Sequence, residues 1–192
     1  NNIENGTSLA LGQGASAGNY SVALGHDASA AGSSSAALGV SASAAGSSSV
    51  ALGNNASASG IGAVALGYDT SAGSYSVASG HDAEAGHFSV ALGGGASATG
   101  HHSVALGSDT SAALSSVVLG NEASAAGDYS VALGRYASAQ NDNEGVLGGI
   151  GSSRTSTWKV PGDFTVSGTK NFEIPHPKPE KKATHVIRHG AV

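Results

Sequence analysis

The sequence predicts an all-β solenoid built from about eleven coils of 13–14 residues each. The first observation is the string Ser-Val-Ala-Leu-Gly, whose variants recur with their final glycines 13 or 14 residues apart. The second is the string Ala-Ser-Ala-x-Gly, which lies between successive copies of the first. The third is composition, because 30 of the 192 residues are Gly, none is Met and 5% are aromatic. Such a chain has too few large side chains to fill a globular core.

Each repeat predicts two strands of about five residues, because fourteen residues are too few for a strand and a helix. Side chains alternate between the two faces of a strand. In one copy, Val22 and Leu24 share a face and Ala23 points the other way, whereas Ala28 and Ala30 share a face in the following strand. A coil this short forms a flattened roll whose walls lie so close that methyl-sized side chains fill the interior. We therefore expect alanine inside the roll and the Val/Leu pairs outside it.

The outward Val/Leu pairs form an apolar strip along the roll that a soluble monomer does not tolerate. The simplest partner for this strip is the same strip of identical chains around a common axis. Three chains suit a narrow seam of Val and Leu, and the alternation alone leaves a dimer open. The predicted trimer seam consists of Val22, Leu24, Val50, Leu52, Val90, Leu92, Val104, Leu106, Val131 and Leu133.

The charge distribution argues against nucleic-acid and anionic-membrane partners. Residues 1–139 carry one basic residue, Arg135, against eight acids, so this part has a formal charge of −7. A rod without lysine offers no electrostatic footprint for polyanions. No run of about 20 apolar residues is present to span a membrane. A roll with methyl-sized walls offers no pocket either, so we expect no catalytic residue, cofactor or metal and a protein that is not an enzyme.

The repeated strings resemble a known family. Ser21–Gly25 and Ser49–Gly53, each followed by an Ala-Ser-Ala-x-Gly segment, are similar to the YadA-type head repeat of trimeric autotransporter adhesins. The resemblance covers residues 8–148. It implies a left-handed parallel β-roll, a homotrimer with the Val/Leu strand nearest the axis, an extracellular location, and binding to matrix proteins or cells.

The C-terminal part departs from that pattern, so residues 1–148 are predicted to be the repeat domain and residues 149–192 a β-rich connector. This connector contains short β segments at residues 157–160, 164–166 and 170–174, followed by a Pro-rich stretch. Its run Ser167–Phe172, with Pro175–Pro177, is similar to segments of phage and viral tail fibres. This similarity favours a viral fibre on a virion surface.

An aromatic position precedes the serine of the first string in several repeats. One interpretation is a contact strip for a receptor or glycan, because rings pack well on sugar faces. The other, which the stacking favours, is a ladder that covers the roll edge and stabilises adjacent coils. The position is occupied by Tyr20, Tyr75, Phe88, His102 and Tyr129.

Two groups of histidines raise the question of a metal. His26–Asp27 and His81–Asp82 occupy one phase of the repeat, where Tyr and Ser also occur, so a polar turn explains them better than a metal site. His185 and His189 have the spacing of a zinc-binding helix, but the preceding prolines do not favour a helix there.

The sequence therefore predicts a non-enzymatic trimeric fibre or adhesin module that attaches to a host-surface receptor, glycan or matrix protein. The favoured context is a phage or viral tail fibre. The alternatives are the head of a bacterial trimeric autotransporter adhesin on a cell surface and a purely structural spacer. An ice-binding solenoid ranks last, because its outward strings lack a regular threonine array.

Overall fold

A computed structural model of the protein describes residues 2–3, 7–148, 172–175 and 186–189. The chain divides into two compact units, residues 1–154 and residues 155–192. The predicted strands at residues 157–160 and 164–166 lie outside the described residues, as do most of the Pro-rich stretch and His185.

The first unit consists of two sheets of eleven parallel strands each, and the chain alternates between them. The Val/Leu sheet contains the strands of the first string: β2 (Leu9–Leu11), β4 (Val22–Leu24), β6 (Ala36–Leu38), β8 (Val50–Leu52), β10 (Val64–Leu66), β12 (Val77–Ser79), β14 (Val90–Leu92), β16 (Val104–Leu106), β18 (Val117–Leu119), β20 (Val131–Leu133) and β22 (Gly145–Leu147). The serine sheet contains those of the second: β1 (Asn2–Ile3), β3 (Ser16–Ala17), β5 (Ser29–Ala30), β7 (Ser43–Ala44), β9 (Ser57–Ala58), β11 (Ser71–Ala72), β13 (Glu84–Ala85), β15 (Ser97–Ala98), β17 (Ser111–Ala112), β19 (Ser124–Ala125) and β21 (Ser138–Ala139).

The strand register follows the repeat. Val50 pairs with Val64 and Leu52 with Leu66 in the neighbouring coil, so equivalent residues stack along the sheet. This confirms the predicted β-solenoid of 13–14-residue repeats. The strands are shorter than predicted, at three and two residues instead of about five. The reason is that the turns occupy the remaining residues of each coil, and each turn holds a residue at positive φ. Hydrogen bonds between coils continue through these turns, as from the N–H of Asp27 to the carbonyl oxygen of Gln13 at 2.8 Å.

The interior of the roll is lined with alanine. Ala23, Ala28 and Ala30 have no exposed surface, and the same holds for their equivalents in most coils. Val118 is the largest fully buried side chain among the described residues, and it replaces alanine at the register of Ala105 and Ala132. The predicted assignment of alanine to the interior is therefore confirmed.

A ladder of buried serines closes one side of this interior, and the sequence pattern did not reveal it. The hydroxyls of Ser49 and Ser103 donate to the carbonyl oxygens of Gly46 and Gly100, each at 2.7 Å. The backbone N–H of Ser103 donates in turn to Ser89 Oγ in the preceding coil at 3.3 Å. The ladder thus ties each turn to itself and to its neighbour, which satisfies polar groups that burial would otherwise penalise.

The turns depend on backbone conformations with positive φ. Most of the residues near φ = +55° are not glycine. Glycine is required instead at the end of each Val/Leu strand, where Gly53 has φ = +144°. A Cβ atom there would overlap the carbonyl oxygen of Gly67 in the next coil. The repeated glycine therefore allows the close approach of successive coils.

The last coil of the roll is capped by Glu144. Its carboxylate accepts the backbone N–H groups of Gln140 at 2.7 Å and Asn141 at 2.9 Å. These bonds, that of Asn141 first, lower the pKa of Glu144 below its ordinary value of 4.5. The carboxylate thus occupies N–H groups of the last coil that the structure describes.

In the second unit, two described strands form an antiparallel pair. Strand β23 (Phe172–Pro175) pairs with β24 (Val186–His189), with Phe172 opposite His189. Pro175 lies at the end of its strand, as expected for a residue without an N–H donor. Because His189 belongs to a strand, it is not part of a zinc-binding helix.

Candidate functional site

The outer face of the Val/Leu sheet is the largest apolar surface of the roll. All ten predicted seam residues lie on it, each half-buried or exposed, while the intervening residues point inwards and are buried. Leu52 is 48% exposed and Leu92 is 41% exposed. Equivalent side chains are in register from coil to coil, so the face is continuous along the rod. That these residues meet other chains stays a prediction.

The face extends beyond the predicted residues. The first and ninth strands of the sheet contribute Leu9, Leu11, Val117 and Leu119, which are also exposed. Three coils interrupt the pattern, because Ala36 and Gly145 replace Val and Ser79 replaces Leu. The register pairs Ser79 with Leu66 on one side and Leu92 on the other. The period of the repeat could have identified the additional residues, since they occupy the same phase.

The two columns of turns form the edges of the roll, and we call them edge I and edge II. Edge I consists of the turns that follow the Val/Leu strands, as at His26–Asp27. Edge II consists of the turns that precede them, as at Asn19–Tyr20. The two edges differ strongly in composition.

Edge II carries the predicted receptor contact strip. Each of its five members, Tyr20, Tyr75, Phe88, His102 and Tyr129, has a φ of 54–58°, which is uncommon for bulky side chains. The rings of Tyr75 and Phe88 stack with centroids 5.2 Å apart, and those of Phe88 and His102 with centroids 5.1 Å apart. The expected ladder is therefore present in three successive coils. Tyr20 and Tyr129 stack on no other ring of the described residues and are 68% and 60% exposed.

A second column of rings stands beside this ladder and was missed in the sequence. His87 and His101 stack with their centroids 5.1 Å apart and their planes 6° apart. Edge II thus concentrates five ring side chains within three coils. On edge I, Tyr68 stacks on His81 at 5.2 Å.

Edge I carries a carboxylate in five of its ten described turns. Two of its carboxylates have histidine partners within the same turn, since His26 Nδ1 lies 3.0 Å from Asp27 and His81 Nδ1 lies 3.0 Å from Asp82. These short contacts fit the polar-turn interpretation. The edge I carboxylates are Asp27, Asp69, Asp82, Asp109 and Glu122.

The described part of the chain contains no group of three or more His, Asp or Glu side chains that could hold a metal ion. None of its elements is a helix of the length and apolarity needed to cross a membrane. The serine sheet presents half-buried or exposed serines, with Glu84 replacing one of them. The site that the geometry offers is therefore a set of surfaces: the apolar face and the two edges.

A comparison with known protein families agrees with this architecture. The YadA head domain repeat matches residues 16–42, 30–56, 44–70, 58–83, 85–110 and 112–137, which together span more than half of the chain. Among solved structures, the collagen-binding domain of the Yersinia adhesin YadA is 26% identical, with 84% of this chain and 80% of that chain covered and a TM-score of 0.49. No curated protein matches the chain. With its repeat, register and alanine interior in place, the chain belongs to the YadA head repeat family.

Proposed function

We propose that this chain forms the head of a bacterial trimeric surface adhesin, which attaches to extracellular matrix or to cells. The observation that carries the proposal is the continuous Val/Leu face on a roll built from YadA head repeats. In this arrangement the face is buried between chains and the serine sheets remain exposed for contact. The head stands outside the cell, and its task is binding rather than catalysis.

The repeat match supports the bacterial adhesin over the viral tail fibre that the sequence favours. The fibre interpretation depends on the run Ser167–Phe172 and on Pro175–Pro177, which lie outside the described residues except for Phe172 and Pro175. No comparison with known proteins supports a virion protein. The adhesin alternative therefore becomes the main proposal.

Within the aromatic strip, Tyr20 is the member that we assign to target contact. Its ring does not stack on another ring of the described residues, so the ring faces remain available to pack against a target. The three stacked members, Tyr75, Phe88 and His102, have faces covered by each other instead.

The experiment is a binding assay of the purified chain on immobilised collagen, fibronectin and laminin and on cultured cells. We expect saturable binding to at least one surface, reduced several-fold in the Tyr20→Ser variant. The matched control is Ser47→Ala, which alters the same edge without a ring. A correctly assembled chain that binds none of these surfaces would contradict the proposal and leave the role of a structural spacer.

A further inference from the structure

We infer that, over residues 67–142, edge I of one protomer packs against edge II of the next, so that these parts of the two edges form a specific contact between copies of this chain. The inference rests on the proposed trimer. Parallel chains that turn their Val/Leu sheets towards one axis are related by rotation, and the resulting interfaces are heterologous. Opposite edges of neighbouring rolls therefore meet at each corner of the assembly.

The coil geometry determines which turns come together. Turns of the two edges alternate along the chain, so each edge I turn lies about half a strand spacing, roughly 2.4 Å, from the edge II turns before and after it. Rotation about the trimer axis does not change the height of a turn along that axis, which we call its level. The turn of Asp82 thus meets the neighbour's turns at Tyr75 and Phe88, and the turn of Asp109 meets the neighbour's turn at His102.

In the middle of the rod, the two edges are chemically complementary. Edge I carries the carboxylates of Asp69, Asp82 and Asp109, together with His81, whereas edge II has no carboxylate between residues 33 and 115. At the levels of these carboxylates, edge II presents the stacked rings of Tyr75 and Phe88 and the imidazoles His87, His101 and His102. Stacked rings turn their partially positive edges outwards, and imidazoles offer N–H donors. Both are suitable partners for a carboxylate.

Near the C-terminal end of the roll, the charges of both edges reverse together. Edge I there carries Arg135, the single basic residue of residues 1–139, while edge II carries Asp128 and Asp142 in the turns just before and just after it. Arg135 contacts Asn121 Oδ1 at 3.3 Å and the ring of Tyr136, and it forms no ion pair with a described carboxylate. Two edge I carboxylates lack a stacked ring, an imidazole or an opposite charge at their level: Glu122, level with Leu114 and Asp128, and Asp27, level with Tyr20 and Ser34. This reversal of charge does not involve the aromatic ladder. It indicates the same partner for edge I, which is edge II of a neighbouring chain.

This contact would fix the axial register of the chains, which the Val/Leu seam alone does not. The seam is nearly the same in every coil, so sliding one chain by a coil costs little of its apolar burial. Complementary charges at an interface select one register over others. A slip by one coil towards the N-terminus would place Arg135 level with Leu114 and Asp128 and remove it from Asp142. The edges thus fix the axial register of the three chains.

The test uses the absence of cysteine from this chain. The full chain carries Ser108→Cys on edge I and His101→Cys on edge II, two positions at the same level and outside the positive-φ sites. Within one chain these positions flank strand β16, whose three residues span about 10 Å. That distance exceeds the reach of a disulfide, about 7 Å between Cα atoms. Mild oxidation is followed by non-reducing electrophoresis, and light scattering gives the mass in solution.

On non-reducing electrophoresis, we expect the double variant to run predominantly as a covalent trimer. Each single variant should run at the mass of one chain. A trimeric double variant that does not cross-link would overturn the inference and leave the seam intact. Cross-linking of a single variant would also overturn it, because like edges would then face each other. A monomeric wild-type chain would overturn the proposed trimer itself.

Discussion

Replacement of Leu92 by aspartate is the strongest perturbation of the proposed seam. Leu92 lies on the outer face of the Val/Leu sheet, with 41% of its surface exposed in the single chain. Complete burial of a leucine is worth about 1.5–3 kcal/mol, so the burial that remains for association is worth about 0.6–1.2 kcal/mol per chain. Over three chains, the layer contributes about 2–4 kcal/mol.

The substitution Leu92→Asp removes this contribution and places three carboxylates around the axis. Desolvation of each unpaired carboxylate costs several kcal/mol in a low-dielectric seam, and their mutual repulsion adds to it. The free-energy cost of the substitution therefore exceeds the association free energy that the Leu92 layer contributes. We expect the variant to dissociate or unfold at micromolar concentration, whereas Leu92→Ala stays trimeric with a lower Tm.

Mass by light scattering and thermal melting by circular dichroism measure both outcomes. The matched control is Ser97→Asp, in the serine sheet next to strand β14, where Glu84 already occupies the same register in the preceding coil. This control adds the same charge to the opposite face of the roll and is expected to stay trimeric. A trimeric Leu92→Asp variant with a Tm within about 2 °C of the wild-type value would refute the seam assignment.

Three further predictions concern the interior, the edges and the C-terminal cap. Ala91 has no exposed surface, so Ala91→Leu overpacks the roll and is expected to lower the unfolding free energy by about 1–3 kcal/mol, as measured by denaturant titration; an unchanged midpoint would contradict the thin alanine interior. Arg135→Asp is expected to weaken the trimer, and adding Asp128→Arg is expected to restore it, as measured by the concentration dependence of dissociation; equal weakening in the double variant would contradict edge pairing. The lowered pKa of Glu144 means that its carboxylate stabilises the last coil above the ordinary value of 4.5, and this stabilisation is lost as the pH falls through the lowered pKa. Relative to the intrinsic exchange rate at each pH, the amides of Gln140 and Asn141 should lose protection from hydrogen exchange over that range in the wild type, whereas the Glu144→Gln variant should show low protection at every pH.

Much of the fold could be predicted because the sequence repeats one alternation many times. The alternation of Val22, Ala23 and Leu24 assigns each residue to the outside or the inside, and every further copy repeats the assignment. The buried serine ladder escaped prediction because serine is ordinarily counted as a surface residue. Its burial at Ser103 depends on a backbone carbonyl of the same turn and on a hydroxyl of the preceding coil, which pattern alone does not show.

The functional surfaces were only partly predictable, for a different reason. The stacking of Tyr75, Phe88 and His102 follows from their common phase, and the structure contains it. The contrast in charge between the edges becomes visible only when every charged residue, including Arg135 and Asp128, is assigned to its position within the repeat. What these surfaces meet depends on other molecules, so neither the sequence nor a single chain determines it.

The mass of the wild-type chain in solution tests the proposed assembly most directly. Sedimentation equilibrium or light scattering at micromolar concentration should give about 55 kDa, three times the 18.3 kDa of one chain. This mass should persist on dilution, because the Val/Leu face leaves a large apolar area to be buried. A folded, stable species of 18.3 kDa would contradict the proposed trimer, since its apolar face would then be open to water.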